Sequence, residues 1–288
     1  MSSNKNKSSA EIGIFGGSGF YDFLKNVKEV EIKTPYGKPS DKIAIGEYEG
    51  KKIAFLPRHG KKHIFPPHKI PYRANLWAFK NLGIKQIIAP SASGSLNIKI
   101  KPGDFVICDQ FIDRTKKRMD TFYENDGTRS TAAGVAHVSS SNPYCENLRK
   151  IAIKSCEKFH PSGGHPKGGK IKCHKKGTVV VIEGPRFSTI AESKWFQSEK
   201  WDVINMTQYP ECILARELEM CYINISLITD YDAGLIGMKK MKAVDLKDVV
   251  RVFNENNEKV KKLIFEMIKN IPADLNCSCK SAMTNAFF

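Results

Sequence analysis

Short apolar runs that stop on Gly, Pro, Ser or Asp recur along this chain, with longer amphipathic segments between them. EIGIFGGSG (11–19), KKIAFLP (51–57), IKQIIAPSASGS (84–95), DFVICDQFI (104–112), KGTVVVIEGP (176–185), WDVINMT (201–207) and YINISLITD (222–230) have the β-branched content and turn-residue endings of strands. YRANLWAFKNLG (72–83), ENLRKIAIKSCEKF (146–159), PECILARELEM (210–220) and DLKDVVRVFNENNEKVKKLIFEMIKN (245–270) repeat apolar residues at helical spacing. Gly83 closes the first of these as a C-cap, Pro210 opens the third, and Asp245 is placed to N-cap the last. Strands alternating with helices predict an α/β protein with a largely buried sheet, in which ligands gather at the carboxyl ends of the strands. With no internal repeat and no dividing linker, residues 11–272 are expected to form a single domain. Residues 1–10 are expected to be a disordered tail, and 273–288 a C-terminal tail.

Composition narrows the function classes. A chain of 288 residues, 41% hydrophobic, can bury a substantial core. It has no run of ~18 apolar residues, and MSSNKNKSSA lacks the apolar stretch of a secretory signal, so a soluble, cytoplasmic chain without membrane contact is expected. The net charge of +16 is spread along the chain among acids, without basic stretches interleaved with aromatics. That distribution argues against nucleic acid and for a positive surface that draws small anions. The eight cysteines form no CxxC pair, and Cys277 and Cys279 in NCSCK are too close together to seed an ordinary structural zinc site by themselves. FHPSGGHPKGGK (159–170) reads as an exposed loop; His160, His165 and His174 lack the carboxylate or regular spacing of a metal site.

Anion-suited residues cluster at four strand ends. Gly16, Gly17, Ser18 and Gly19 offer backbone N–H groups and a hydroxyl, in neither P-loop nor dinucleotide-binding spacing. Arg58 and His59 offer a guanidinium fork and an imidazole, Ser91 a hydroxyl beside neighbouring amides, and Thr207 another hydroxyl. Four such clusters in an open α/β sheet imply one shared phosphate site. His59, His63 and His68 do not read as a zinc site, because Pro66 and Pro67 break any helix between them; His63 and His68 are expected to order the loop. In LITDYDAG, strand alternation sends Asp230 and Asp232 to one side, where each raises the cost of ionising the other. Taken alone, such a pair also fits helix capping or a divalent cation.

With these pieces in place, the chain resembles the trimeric purine nucleoside phosphorylases, and among them the branch acting on 5'-methylthioadenosine. IGIFGGSGFYD, TPYGKPSD, RHGKKHIFPPHKIPYRANLWA, GSL, GDFVICDQFIDRT, AHV, IEGPRFSTIAES, VINMTQYPE and TDYD carry the resemblance, in that order, from Ile12 to Ile271. It implies the nucleoside phosphorylase fold, a single α/β domain with a central mixed, partly barrel-like sheet flanked by helices. It also implies cleavage of methylthioadenosine by inorganic phosphate to adenine and 5-methylthioribose 1-phosphate, in a homotrimer or dimer of trimers. Phosphate is then a co-substrate, and no metal or organic cofactor is expected. By matching position, Ser18, Arg58, His59, Ser91, the Ala92 amide and Thr207 hold phosphate, Met206 lies against the ribose, and Phe187 and Ser188 surround the base. Asp230 faces purine N7 as the proton source and Asp232 accepts from the 6-amino group, which favours adenine over 6-oxopurines. His137, from a neighbouring subunit, and Leu246 wall the 5' substituent.

Some segments depart from that pattern. The 160–170 loop reads as an insertion, and 125–138 falls in a stretch of variable length. Ala233 and Gly234 follow the acids where a bulky aromatic is usual, which widens the 5' pocket. By resemblance to members from hot environments, Cys277 with Cys279 and Cys145 with Cys221 are candidate disulfides, with free thiols as the alternative. The competing functions are a broad-specificity or 6-oxopurine phosphorylase, a nucleosidase using water, and a non-enzymatic nucleoside- or nucleic-acid-binding protein.

Overall fold

A computed structural model describes residues 9–16, 24–124, 134–159, 171–235 and 244–287. β1 (Ile12–Phe15), β2 (Lys25–Val30), β3 (Ile43–Tyr48) and β4 (Lys51–Leu56) lead to helix α1 (Tyr72–Asn81) and the long β5 (Gln86–Ser95). β6 (Phe105–Ile107) and β7 (Gln110–Arg114) precede α2 (Glu146–Lys158), β8 (Cys173–His174), β9 (Thr178–Ile182) and α3 (Ile190–Ser198). β10 (Val203–Asn205), α4 (Gln208–Glu217), β11 (Cys221–Asp230) and α5 (Leu246–Asn270) complete the order. Among the described residues no helix is long and apolar enough to cross a membrane.

The strands form one mixed sheet that does not close into a barrel. Its main path runs β2-β3-β4-β1-β5-β10-β9-β7, with β11, β6 and β8 branching from β5. β1 is parallel to β4 and β5, and β11 is parallel to β5 along almost its whole length, so the carboxyl ends of β1, β4 and β11 lie together. β10 joins β5 antiparallel, only at Ser95 and Gly94. β1 has by then stopped pairing at Ile88. On that edge of β5, Ala89–Ser93 therefore face no strand among the described residues, and the gap leaves backbone groups open to side chains or ligand.

One apolar cluster, including Phe15, Leu76, Phe79 and Tyr222, packs α1 and α4 on one face of the sheet. A second, including Phe55, Leu148, Ile225 and Ile264, packs α2 and α5 on the other. The expected caps hold: Asp245 accepts from the Lys247 N–H, and Gly83 follows α1 in a left-handed conformation (φ 81°) that a glycine adopts without strain. α4 is bent at its start, where Tyr209 is non-helical and the regular turns resume at Pro210. β2, β3, β8 and α3 have no counterpart among the expected elements. Five of the six β2 residues are exposed, so burial imposes no apolar alternation on them. α3 buries only Ser193 and Phe196, and its start is marked by a capping box in which Thr189 accepts from the Glu192 N–H.

The C-terminal segment is not a free tail: Leu275, Cys279, Met283 and Ala286 are buried against the body. All eight cysteines are free thiols, so neither candidate disulfide is formed.

Candidate functional site

The gap in β5 and the adjoining strand ends collect most of the expected residues. Arg58, just beyond β4, is buried, and its NH1 donates to the Pro90 carbonyl at 3.2 Å across the gap. The sequence pointed this fork at phosphate; in the structure it is also paired within the protein. Glu211 of α4, completely buried, accepts from Arg58 Nε and, at 3.0 Å, from NH2, and Tyr222 donates its hydroxyl to the same carboxylate at 2.9 Å. The fork is thereby fixed in orientation while some of its N–H groups stay free for an anion. Phe15 lies under the guanidinium, its ring centre 4.9 Å away.

His59 also departs from expectation. Burial, reinforced by Arg58 and His63, pulls its pKa down to about 4, so the ring is neutral near pH 7. Its Nδ1 lies 2.8 Å from the Phe65 carbonyl, which can only accept, so Nδ1 carries the proton and Nε2 presents a lone pair. His59 thus suits the P–OH of a protonated phosphate, not a bare dianion. His63 stacks on it at 4.3 Å, in keeping with a loop-ordering role.

Ser91 is buried, and its hydroxyl oxygen accepts from Asn205 and Asn224, each at 3.1 Å. Its own hydrogen has only a long acceptor in the protein, Asn224 Oδ1 at 3.5 Å, which a phosphate oxygen can better. Ala92 follows it in β5, opposite Leu227 of β11. Thr207 is buried at the start of α4 and makes no cap bond with its side chain. Met206 lies against Gly184, where an added Cβ would fall 2.6 Å from the Met206 sulfur. Ser18 lies outside the described residues.

Asp230 and Asp232 do share a side, though not by strand alternation. The β5–β11 register slips between Ile228 and Asp230, β11 ends at Asp230, and a 3-10 turn, Ala233–Leu235, follows Asp232. Both acids then face Gly94: a Cβ there would meet Asp230 Oδ1 at 2.8 Å and the Asp232 Cβ at 3.4 Å. Burial raises the Asp230 pKa to about 6, with Asp232 a smaller contributor, while the Thr229 hydroxyl, donating at 2.8 Å, pulls the other way. Asp232 is also raised, by burial above all. Its Oδ2 has no hydrogen-bond partner, nor does the buried Ser188 hydroxyl; Ser188 favours the charged carboxylate from nearby without reaching hydrogen-bond geometry.

Glu211, Asn205, Asn224, Thr229 and Ser193 escaped the sequence reading. Glu211 shows no local sign of its role, because its partner lies 153 positions away. Glu192 beside the base-side segment serves structure instead: Arg186 clamps it with two bonds of 2.7 Å and it completes the α3 capping box. His174 pairs with Asp104 at 2.9 Å; His160 and His165 lie outside the described residues. His137 lies on the surface, its N–H donating to the Ala286 carbonyl at 2.7 Å, and Leu246 is 63% exposed.

The phosphorylase superfamily model matches residues 11–269. The chain is 48% identical over 277 residues to the S-methyl-5'-thioadenosine phosphorylase of Pyrococcus furiosus, covering 96% of this chain and 99% of that one. It is 43% identical over 286 residues to the purine nucleoside phosphorylase of Streptomyces coelicolor, covering 96% of each. Among solved structures, a methylthioadenosine phosphorylase from an antarctic soil metagenomic library gives a TM-score of 0.87 at 38% identity, covering 98% of this chain and 93% of that one. The Schistosoma mansoni methylthioadenosine phosphorylase in complex with adenine gives 0.85 at 34% identity, covering 97% and 99%.

The buried pair and the buried acid each make a testable prediction. Arg58→Met strands the Glu211 carboxylate and should cost about 3–5 kcal/mol of stability, more than half of it recovered on adding Glu211→Gln. Denaturant unfolding of the two variants checks this; an equally unstable double variant would show that lost packing, not stranded charge, is responsible. For Asp230, the folded value near 6 lies above the ordinary 3.8, so the native state binds the proton more tightly and stability falls as pH rises through that window. Asp230→Asn should therefore be more stable than the parent at about pH 7.5, by an amount on the order of 3 kcal/mol, with the advantage gone below about pH 4. A difference independent of pH between those limits rules out the raised acid.

Proposed function

The chain belongs to the phosphorylase superfamily, and from that premise and the geometry of its site we infer that it cleaves 5'-methylthioadenosine with inorganic phosphate, releasing adenine and 5-methylthioribose 1-phosphate. The enzyme is a pentosyltransferase of purine and methionine salvage. The observation that carries the choice of base is the buried, unpartnered Asp232 Oδ2 beside Asp230 and the equally unpartnered Ser188 hydroxyl. A buried acceptor without a donor is costly, and an exocyclic amino group supplies the donor where a 6-oxo group cannot.

In the reaction a phosphate oxygen forms the bond to C1' as the C1'–N9 bond breaks, and the bonding electrons pass into the purine. A proton at N7 neutralises that charge, and Asp230, held near 6 by burial, is matched to supply it. Free N–H groups of Arg58, the Ser91 and Thr207 hydroxyls, the Ala92 amide and Ser18 hold the phosphate, with Nε2 of His59 accepting from its P–OH. Phe187 and Ser188 cover the base and Met206 the ribose. The chemistry calls on no metal or organic cofactor, because positioned charge and one proton transfer supply it.

The working enzyme is a homotrimer or a pair of trimers, in the cytoplasm, where cysteines without disulfides persist. In support, Val135 beside His137, and Leu246 and Val250 one turn apart on α5, stay 60%, 63% and 48% exposed, apolar surface available to a neighbouring subunit. His137, beside Val135, then reaches the 5' end of the nucleoside bound in a neighbouring subunit, opposite Leu246 of that subunit.

Phosphorolysis of methylthioadenosine, adenosine and inosine, with phosphate present and omitted, tests the assignment. Base release should require phosphate and favour the two adenine nucleosides; release undiminished without phosphate would make the enzyme a hydrolase. Asp230→Asn should cost adenosine at least about tenfold more turnover than inosine, since it exchanges an acceptor for an amide donor. Equal losses would confine Asp230 to protonation and leave base choice to Asp232. His137→Ala should weaken methylthioadenosine by roughly tenfold and adenosine less, because the apolar wall contributes about 1–2 kcal/mol only to the methylthio group. Equal effects on both substrates, or full activity in an isolated monomer, would sink the shared pocket.

A further inference from the structure

Cys145, Cys221, Cys277 and Cys279 converge from three parts of the chain, with all four sulfurs within 4.8 Å of one another. Three of the four are buried, and the closest pair described, Cys221 and Cys277, stands at 3.3 Å. The spacing of Cys277 and Cys279 alone argued against a metal. The structure answers that objection by bringing in Cys145 and Cys221 and by the backbone between the first two. Cys277 is extended (φ −149°, ψ 160°) and Cys279 lies inside the 3-10 turn Ser278–Ser281, so the change of direction turns both thiols inward.

We propose that these four cysteines bind one structural zinc ion. A tetrahedral zinc with sulfurs at about 2.3 Å requires sulfur–sulfur separations of about 3.8 Å, the scale of this cluster. Both core ligands sit on fixed backbone: the Cys145 N–H donates to the Tyr222 carbonyl at 2.9 Å and the Cys221 N–H to the Lys85 carbonyl at 2.8 Å. Cys145 is also the N-cap of the 13-residue α2, so its place is fixed by the start of that helix. Binding releases the thiol protons to solvent and changes no oxidation state.

Such an ion ties the C-terminal segment to the start of α2 and the start of β11. Beyond the ligands the segment runs on to Ala286 and Phe287, which pair with Ala136 and His137. The zinc therefore anchors the strand of chain on which the His137 segment rests.

The test is the metal content of the full chain purified in reducing buffer without a metal-affinity step. About one zinc ion per chain is expected, released by an organomercurial in step with four thiols. Cobalt(II) in its place should give the sulfur-to-metal charge-transfer absorption of a tetrahedral four-sulfur site. Cys277→Ser with Cys279→Ser should lower zinc by about fivefold or more, while Cys156→Ser, outside the cluster, should leave it unchanged. The wild-type stoichiometry decides the matter even if the double variant does not fold. Zinc-free protein in which all eight cysteines titrate as thiols overturns the proposal, and so does zinc-free protein with cluster thiols lost as disulfides.

Discussion

The site exists because β5 changes partner on one edge. β1 leaves it at Ile88 and β10 takes it up only at Gly94, on a strand whose other edge is paired with β11 throughout. A buried strand cannot leave backbone groups unmet, and here the demand is answered by the Arg58 fork at Pro90, with Ser91 and its two asparagines beside it. The carboxyl ends of β4 and β11 bring Arg58 and the two acids to the same place, and β10 adds Thr207. The phosphate and purine ends of the site are thus two sides of one discontinuity in the sheet.

Burial then decides the charge of every group around that gap. A carboxyl taken out of water is driven toward its protonated form, which is what makes Asp230 able to give up a proton near neutral pH. The same surroundings make an unpaired guanidinium costly, and Arg58 is accordingly neutralised by Glu211. His59 is held neutral, keeping only the proton that its Nδ1 donates to Phe65. The proposed phosphate site therefore offers oriented donors and one acceptor lone pair more than net positive charge, despite the +16 carried by the chain as a whole.

The residues proposed to touch ligand were more legible than the residues that hold them. Arg58, Ser91, Thr207 and the acid pair stand at the ends of apolar runs, where strand periodicity marks a carboxyl end, and the α/β class follows from the same alternation. Glu211 lies on the buried face of α4 and Asn224 in the middle of β11; each is polar only because of a partner far along the chain, and no local pattern encodes that. β2 escaped because an exposed strand needs no apolar alternation. The neutral state of His59 was hidden for a related reason, since it depends on burial and on the Phe65 carbonyl rather than on the motif around it. The four-cysteine cluster shows the same limit, as two of its members become neighbours of the other two only when the C-terminal segment folds back.

Gly94 joins these threads. It sits where β10 first meets β5 and where the β11 register slips, and both acids fill the space its missing side chain leaves. The slip matters because a regular ladder would have carried Asp230 past Gly94 on the pleat, with no guarantee that Asp232 would face the same way. Combined with the turn after Asp232, it brings both carboxyls over one glycine, so that burial raises both acids and Asp232 adds only a smaller rise at Asp230. Asp230 keeps the Thr229 hydroxyl as a donor, whereas Asp232 Oδ2 keeps none. That asymmetry separates two chemically identical side chains into a proton source and an acceptor still owed a donor, and it arises from the backbone path around a single residue without a side chain.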